Sequence, residues 1–163
     1  MMARHSLQSR TPRDSQTEMT EVVLPPHANA LGTIFGGTVM SWIDICGAIV
    51  SQRHCGRIAV TAFVDDLEFL APLHVGDVVR LSGRLNAVFT SSMEVEVIVE
   101  REDVATGTHT RCLEALLVFV SVDDEGRPLP APRLILETED DRRRADEAAE
   151  RRRQRIERRR ARD

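Results

Sequence analysis

Apolar and polar residues alternate almost without a break from Met93 to Glu100, the two-residue period of a strand with one buried face. Four further windows read the same way. Thr17–Leu24 is stopped by Pro25 and Pro26, and Ile58–Leu70 carries Val60, Ala62 and Val64. Val78–Val88 places Leu81, Gly83 and Leu85 on one face, and Thr110–Val122 follows the turn at Thr106-Gly107. Between the first and second of these windows the period changes. Thr38 to Ser51 predicts a helix of about four turns that starts near Gly36 or Gly37 and is apolar around most of its circumference. One strand, one buried helix and four strands joined by short turns predict an α+β fold, an antiparallel sheet of about five strands curled around a central helix. The sheet then needs a further covering surface or a partner.

Asp44 stands inside that greasy helix, where an acid is costly unless partners or function compensate it. It lies eight residues after Gly36 and seven after Gly37, which puts all three on roughly one helical face. The first N–H groups of a helix lack intrahelical partners, so amides at Gly36 and Gly37 can face a negative oxygen. The same glycines can equally serve only to let a loop approach the sheet, and Ser41 can satisfy a purely structural Asp44. The three in register favour a functional reading. Asn29, seven residues before Gly36, forms a turn or orients a water or a carbonyl. His27 beside two prolines, and His54 at the frayed end of the helix, read as structural or surface residues. Ser41, Ser51 and the thiols lack the context of an activated nucleophile such as a GxSxG elbow.

Composition narrows the class. The chain has 163 residues, 42% hydrophobic and 29% charged, as expected of one soluble domain with tails. No apolar run reaches the roughly 18 residues that span a bilayer. Residues 1–16 lack the hydrophobic core of a secretory signal and read as a polar, mobile arm. Cys46, Cys55 and Cys112 form no CxxC pair and leave one thiol over in any disulfide scheme, so reduced thiols in a cytoplasmic protein are expected and no metal site is. Net charge is -4, and every basic side chain other than histidine is Arg. Residues 17–133 read as the domain. Residues 134–163, extended after Pro128, Pro130 and Pro132, read as a tail with Arg and acids in a solvated helix that is marginal alone.

The run from Asn29 through the glycines to Asp44 resembles the signature of hotdog-fold acyl-CoA thioesterases, in the cytosolic acyl-CoA hydrolase branch with its bacterial short-chain relatives. Phe69 to Asp77, Ser92 to Val95 and Phe119 to Pro128 match in order. The resemblance implies hydrolysis of acyl-CoA to a free acid and CoA, with CoA as part of substrate and product and no other cofactor. Asp44 is then the general base or nucleophile, Asn29 orients water or substrate, and an amide at Gly36 or Gly37 polarises the thioester carbonyl. It also implies a homodimer joined edge to edge, each site taking Asp44 from one chain and the Asn29 loop from the other, and trimers of such dimers. Two departures are visible. Leu31 and Thr33 replace a polar pair, and Thr90-Ser91-Ser92 stands where relatives carry a basic residue. CoA phosphates are therefore assigned to Thr90, Ser91, Ser92, Arg84 and Arg57, with the Arg-rich tail as a further source of contacts. Met40, Trp42, Phe63 and Phe69 are candidate walls of the acyl tunnel.

Two rivals stand beside this reading. One is a non-catalytic acyl-CoA sensor or scaffold that uses the Arg-rich tail to hold a partner. Seven acids among the eleven arginines after Glu139 make that tail a poor ligand for nucleic acid. The other is a hotdog dehydratase, which carries an Asp and His pair in a different loop context.

Overall fold

The computed structural model describes residues 8–162. Five strands form one antiparallel sheet: β1 (Thr17–Val22), β2 (Ala59–Phe69), β3 (Val78–Val88), β4 (Ser92–Asp103) and β5 (Thr108–Ser121), in the order β1-β3-β4-β5-β2. A 20-residue helix, α2 (Gly36–Cys55), lies along its concave face. This is the hotdog arrangement that the sequence predicts.

The alternation in β4 decides which face is inside. Met93, Val95, Val97 and Val99 are fully buried and meet α2, while Glu94, Glu96 and Ile98 point to the outer face. Close approach of helix and sheet rests on two glycines. A Cβ on Gly83 of β3 would sit 2.7 Å from Val50 and 2.9 Å from Cys46, and one on Gly47 of α2 would sit 2.7 Å from the Phe119 ring. The helix stops at Gly56, whose φ of 66° is the left-handed closing residue of a helix end.

The central helix is not wrapped all round. Val39, Trp42, Ile43, Cys46 and Val50 are buried, but Met40 and Ile45 remain about half exposed on the opposite side. β2 closes one edge of the sheet with Val60, Phe63, Val64 and Phe69 also exposed. Apolar surface thus concentrates along one helix flank and the unpaired strand edge.

The two terminal segments depart from expectation. The first seven residues of the predicted arm lie outside the described residues, but residues 10–16 are packed. A short helix, α1 (Pro12–Ser15), buries Pro12 and Ser15, and Arg10 pairs with the 133–135 segment through both backbone groups. Nor is the tail a solvated helix. α3 (Glu139–Arg160) is capped by Thr138, whose Oγ1 accepts from the Asp141 N–H at 3.0 Å while Asp141 Oδ2 accepts from the Thr138 N–H at 3.1 Å. Asp141, Arg144, Ala148, Arg151 and Arg155 recur at three- and four-residue spacing and lay one stripe on the outer face of the sheet. Arg84 binds Asp141, Arg144 binds Glu96 at 2.5 Å, Arg151 binds Glu94 at 2.7 Å and Arg155 binds Asp65 at 2.7 Å. The tail is marginal by itself; ion pairs with strand residues dock it.

Candidate active site

The start of α2 is held by its loop and is left open at its amides. Phe35 N–H donates to the His27 carbonyl at 2.7 Å, and the His27 ring stands edge-on to Trp42 with centroids 5.3 Å apart. Leu24 N–H donates to His27 Nδ1 at 3.0 Å. His27 is thus committed to structure, as expected. The residue at the N-cap is Phe35, which has no side-chain acceptor to offer. Its carbonyl takes the N–H groups of Thr38 and Val39. The amides of Gly36 and Gly37 have no hydrogen-bond acceptor among the described residues. Two donors at the positive end of a 20-residue helix are available to a negative oxygen.

Asn29 organises the loop before them. Its Oδ1 accepts from the Leu31 N–H at 2.9 Å and the Thr33 N–H at 3.3 Å, and its Nδ2 donates to Thr33 Oγ1 at 2.8 Å. This is an Asx turn, exposed at its tip. None of these bonds reaches Asp44.

Asp44 is half-buried at the third turn of α2, and Thr61 Oγ1 of β2 donates to its Oδ1 at 2.5 Å. Thr61 was not among the sequence candidates. It sits 17 residues away in an ordinary β-branched run, so no spacing marks it; only the pairing of β2 with β5 brings it beneath the helix. Oδ1 is thus held, and Oδ2 makes no hydrogen bond among the described residues.

Alternatives to a carboxylate are weak here. Burial pushes the Cys46 thiol up to about 11, well away from a thiolate at neutral pH. The Cys112 thiol is also raised by burial. His54 lies in the last turn of α2, as expected, but is fully buried rather than frayed, and its Nε2–H donates to the Pro132 carbonyl at 2.7 Å. Ser51 spends its hydroxyl on the Gly47 carbonyl at 2.9 Å, and Ser41 on that of Thr38 at 2.7 Å.

Of the residues assigned to CoA phosphates, Arg84 is out of place. It faces the outer side of β3, opposite α2, and its guanidinium is bound by Asp140 and Asp141. Thr90, Ser91 and Ser92 form the β3–β4 turn, at the same end of the sheet as Thr61, because Met93, Phe119 and Thr61 share one row across β4, β5 and β2. Arg57 follows the helix end at that side, half exposed. Phe63 is likewise turned to the outer face, under Arg155, and so is no tunnel wall. Phe69 does line a cleft of about 290 Å³ with Thr33, Ile34, Leu70, Leu73 and Leu113, next to Gly36.

Comparison with known proteins gives the family. Residues 31–108 match the thioesterase superfamily. The chain is 40% identical over 134 residues to an uncharacterized acyl-CoA thioester hydrolase of Bacillus subtilis, covering 82% of this chain and 78% of that protein. It spans about a third of the length of the mammalian cytosolic acyl coenzyme A thioester hydrolases, at 36% identity over 135 residues. Among solved structures, an apo-hexameric acyl-CoA thioesterase superposes with a TM-score of 0.86 at 36% identity, covering 93% of this chain and 97% of that one. An acyl-CoA hydrolase of Staphylococcus aureus, solved with butyryl coenzyme A and coenzyme A, gives 0.84 at 34% identity over 95% and 92% of the two chains. The chain belongs to the thioesterase superfamily, in its acyl-CoA thioester hydrolase branch.

Proposed function

We propose that this acyl-CoA thioester hydrolase cleaves its substrate with Asp44 as the reacting carboxylate and the Gly36 and Gly37 amides as the oxyanion site. The observation that carries the reading is the Thr61–Asp44 hydrogen bond, which fixes one carboxylate oxygen and leaves the other without a hydrogen-bond partner among the described residues. The S. aureus hydrolase has been solved with an Asp, an Asn and a Thr each replaced by Ala, the residue types of Asp44, Asn29 and Thr61.

The thioester carbonyl oxygen accepts from the glycine amides, and Asp44 either takes a proton from the attacking water or attacks the carbonyl carbon itself. Negative charge grows on the carbonyl oxygen, where two fixed donors and the helix dipole stabilise it. The tetrahedral intermediate collapses by breaking the C–S bond, which gives the free acid where water attacked; where Asp44 attacked it gives an acyl–Asp44 anhydride, which a water then hydrolyses to the free acid and the carboxylate. CoA leaves as a thiolate, a competent leaving group with a thiol pKa of about 8.5, so no strong general acid is required.

Gly36 and Gly37 share a face with Asp44, but seven to eight residues of helix separate them by about 10–12 Å along the axis. One thioester cannot touch both ends of that span. In this reading the amides that serve one Asp44 belong to a second copy, together with the Asn29 loop that runs into them. The exposed apolar edge of β2 and the Met40 and Ile45 flank of α2 are the surfaces such a copy would cover. A homodimer with shared sites, assembled as a trimer of dimers, fits this requirement. Thr90, Ser91, Ser92 and Arg57 are the residues on hand for CoA phosphates.

The test is a thiol-release assay from acetyl-CoA to palmitoyl-CoA, first on the wild type and then on Asp44→Asn and Gly36→Pro, singly and co-expressed. Each variant alone should lose turnover, and mixed oligomers should recover part of it. Full turnover by Asp44→Asn would overturn the role of Asp44. Failure of the mixture to recover would overturn the shared site.

A further inference from the structure

β2 is an irregular edge strand at the position that matters most. Thr61 pairs with Phe119, but the next pair is Phe63 with Val118, so Ala62 has no partner; Asp65 is skipped in the same way between Val64 and Asp66. The bulge at Ala62 turns Thr61 toward α2 and Phe63 toward the outer face, and the one at Asp65 restores the alternation beyond it. β2 has only β5 as a neighbour in the chain and few buried side chains, so its own packing does little to fix it.

α3 supplies the missing restraint. Arg155 Nη1 donates to Asp65 Oδ2 at 2.7 Å, and its guanidinium carbon lies 5.3 Å from the centre of the Phe63 ring. Arg158 approaches the other Asp65 oxygen at 3.9 Å. The Asp65 and Arg155 side chains are only 6% and 13% exposed, so this is an enclosed ion pair rather than a surface one. One guanidinium thus grips Phe63, which follows the first bulge, and Asp65, the second bulged residue, two and four positions beyond Thr61.

We propose that Arg155 is a positioning residue for hydrolysis: through Asp65 and Phe63 it locks the bulged segment of β2 in the register that aims Thr61 Oγ1 at Asp44. The proposal rests on the reading of Asp44 as the reacting carboxylate. Arg155 itself touches neither substrate nor Asp44. Displacement of a positioning group by an ångström costs up to about a hundredfold in rate.

The test compares the wild type with Arg155→Ala and Arg155→Lys, the latter keeping a charge beside Asp65 and losing the planar stack on Phe63. Oligomer mass, kcat and KM are measured, with amide hydrogen exchange along β2. The expected result for Arg155→Ala is faster exchange from Thr61 to Asp66, unchanged mass, and kcat lowered about tenfold or more with KM within about twofold. Arg155→Lys should fall between. In a Thr61→Val background, Arg155→Ala should lower kcat no further. Unchanged exchange, multiplicative losses, or dissociation into monomers as the sole defect would each overturn the proposal. Exchange reads the clamp even if Asp44→Asn retained turnover, which separates its failure from that of the catalytic assignment.

Discussion

Thr61 Oγ1 and Asp44 Oδ1 are joined by a 2.5 Å hydrogen bond that links the edge strand to the middle of the central helix. A hydroxyl so placed orients the carboxylate and leaves its Oδ2 unengaged. Thr61→Val keeps the β-branched shape and deletes the donor. We expect kcat to fall by about one to two orders of magnitude with little change in KM, and Thr61→Ser to restore most of it. A thiol-release assay at saturating acyl-CoA reads both, and wild-type kcat in Thr61→Val would remove the threonine from the site.

The apolar N-cap of α2 gives a direct test of the oxyanion assignment. Proline is well accommodated at the first helical position, and the preceding Phe35 is already extended at φ -66° and ψ 128°. Gly36→Pro therefore preserves the helix start and removes one N–H. Loss of one such donor costs roughly a hundred- to a thousandfold in kcat. Gly36→Ala is the control: its Cβ meets only Phe69 at 3.7 Å, and its amide remains. Equal activity in the proline and alanine variants would exclude the Gly36 amide.

The docked tail predicts a stability effect far from the chemistry. Glu94 is completely buried on the outer face, with Arg151 donating to both of its oxygens and Asn86 Nδ2 to one at 3.2 Å. Arg151→Ala leaves that carboxylate enclosed without its counter-charge. Breaking a buried pair from one side costs about 3–5 kcal/mol. Urea unfolding should show that loss, while the pair replaced together, Glu94→Leu with Arg151→Met, should unfold close to the wild type. A wild-type midpoint for Arg151→Ala would mean that α3 is solvated after all.

These residues also show where the sequence was informative. Val78–Val88 and the Met93–Glu100 alternation name their strands because each has one dry face, and a period of two survives in the sequence. Asp44 and the glycines were visible because an acid in a greasy helix violates the local pattern. Thr61 violates nothing, and its partner lies 17 residues away across a turn, so only folded geometry identifies it. β2 was found as a strand, but its two bulges were not: Val60, Ala62 and Val64 look like one face until Ala62 drops out of the ladder. In α3 the pattern was present and misread. Arg144, Arg151 and Arg155 with Ala148 form a stripe, yet a stripe of arginines looks like a solvated face unless it is matched to Glu94, Glu96 and Asp65 on the outer side of the sheet.

His54 makes the fold sensitive to mild acid. Its Nε2–H donates to the Pro132 carbonyl, which leaves Nδ1 unprotonated, buried and without a partner among the described residues. Burial holds the imidazole below its ordinary value of 6.5, so the unfolded chain binds a proton at a pH where the folded chain does not. The stability that neutral His54 contributes is present in full above about 6.5 and is lost as the pH drops from there toward the folded value, by at most about 1.4 kcal/mol per pH unit. The depressed carboxylates of Asp14, Asp123 and Asp140 titrate below 3.8 and act outside that window. His54→Gln keeps an N–H donor for the Pro132 carbonyl and cannot be charged. Thermal melts from pH 7 to 5.5 should show a smaller fall in Tm for His54→Gln than for the wild type. Parallel curves for the two proteins would show that protonation of His54 does not limit stability in mild acid.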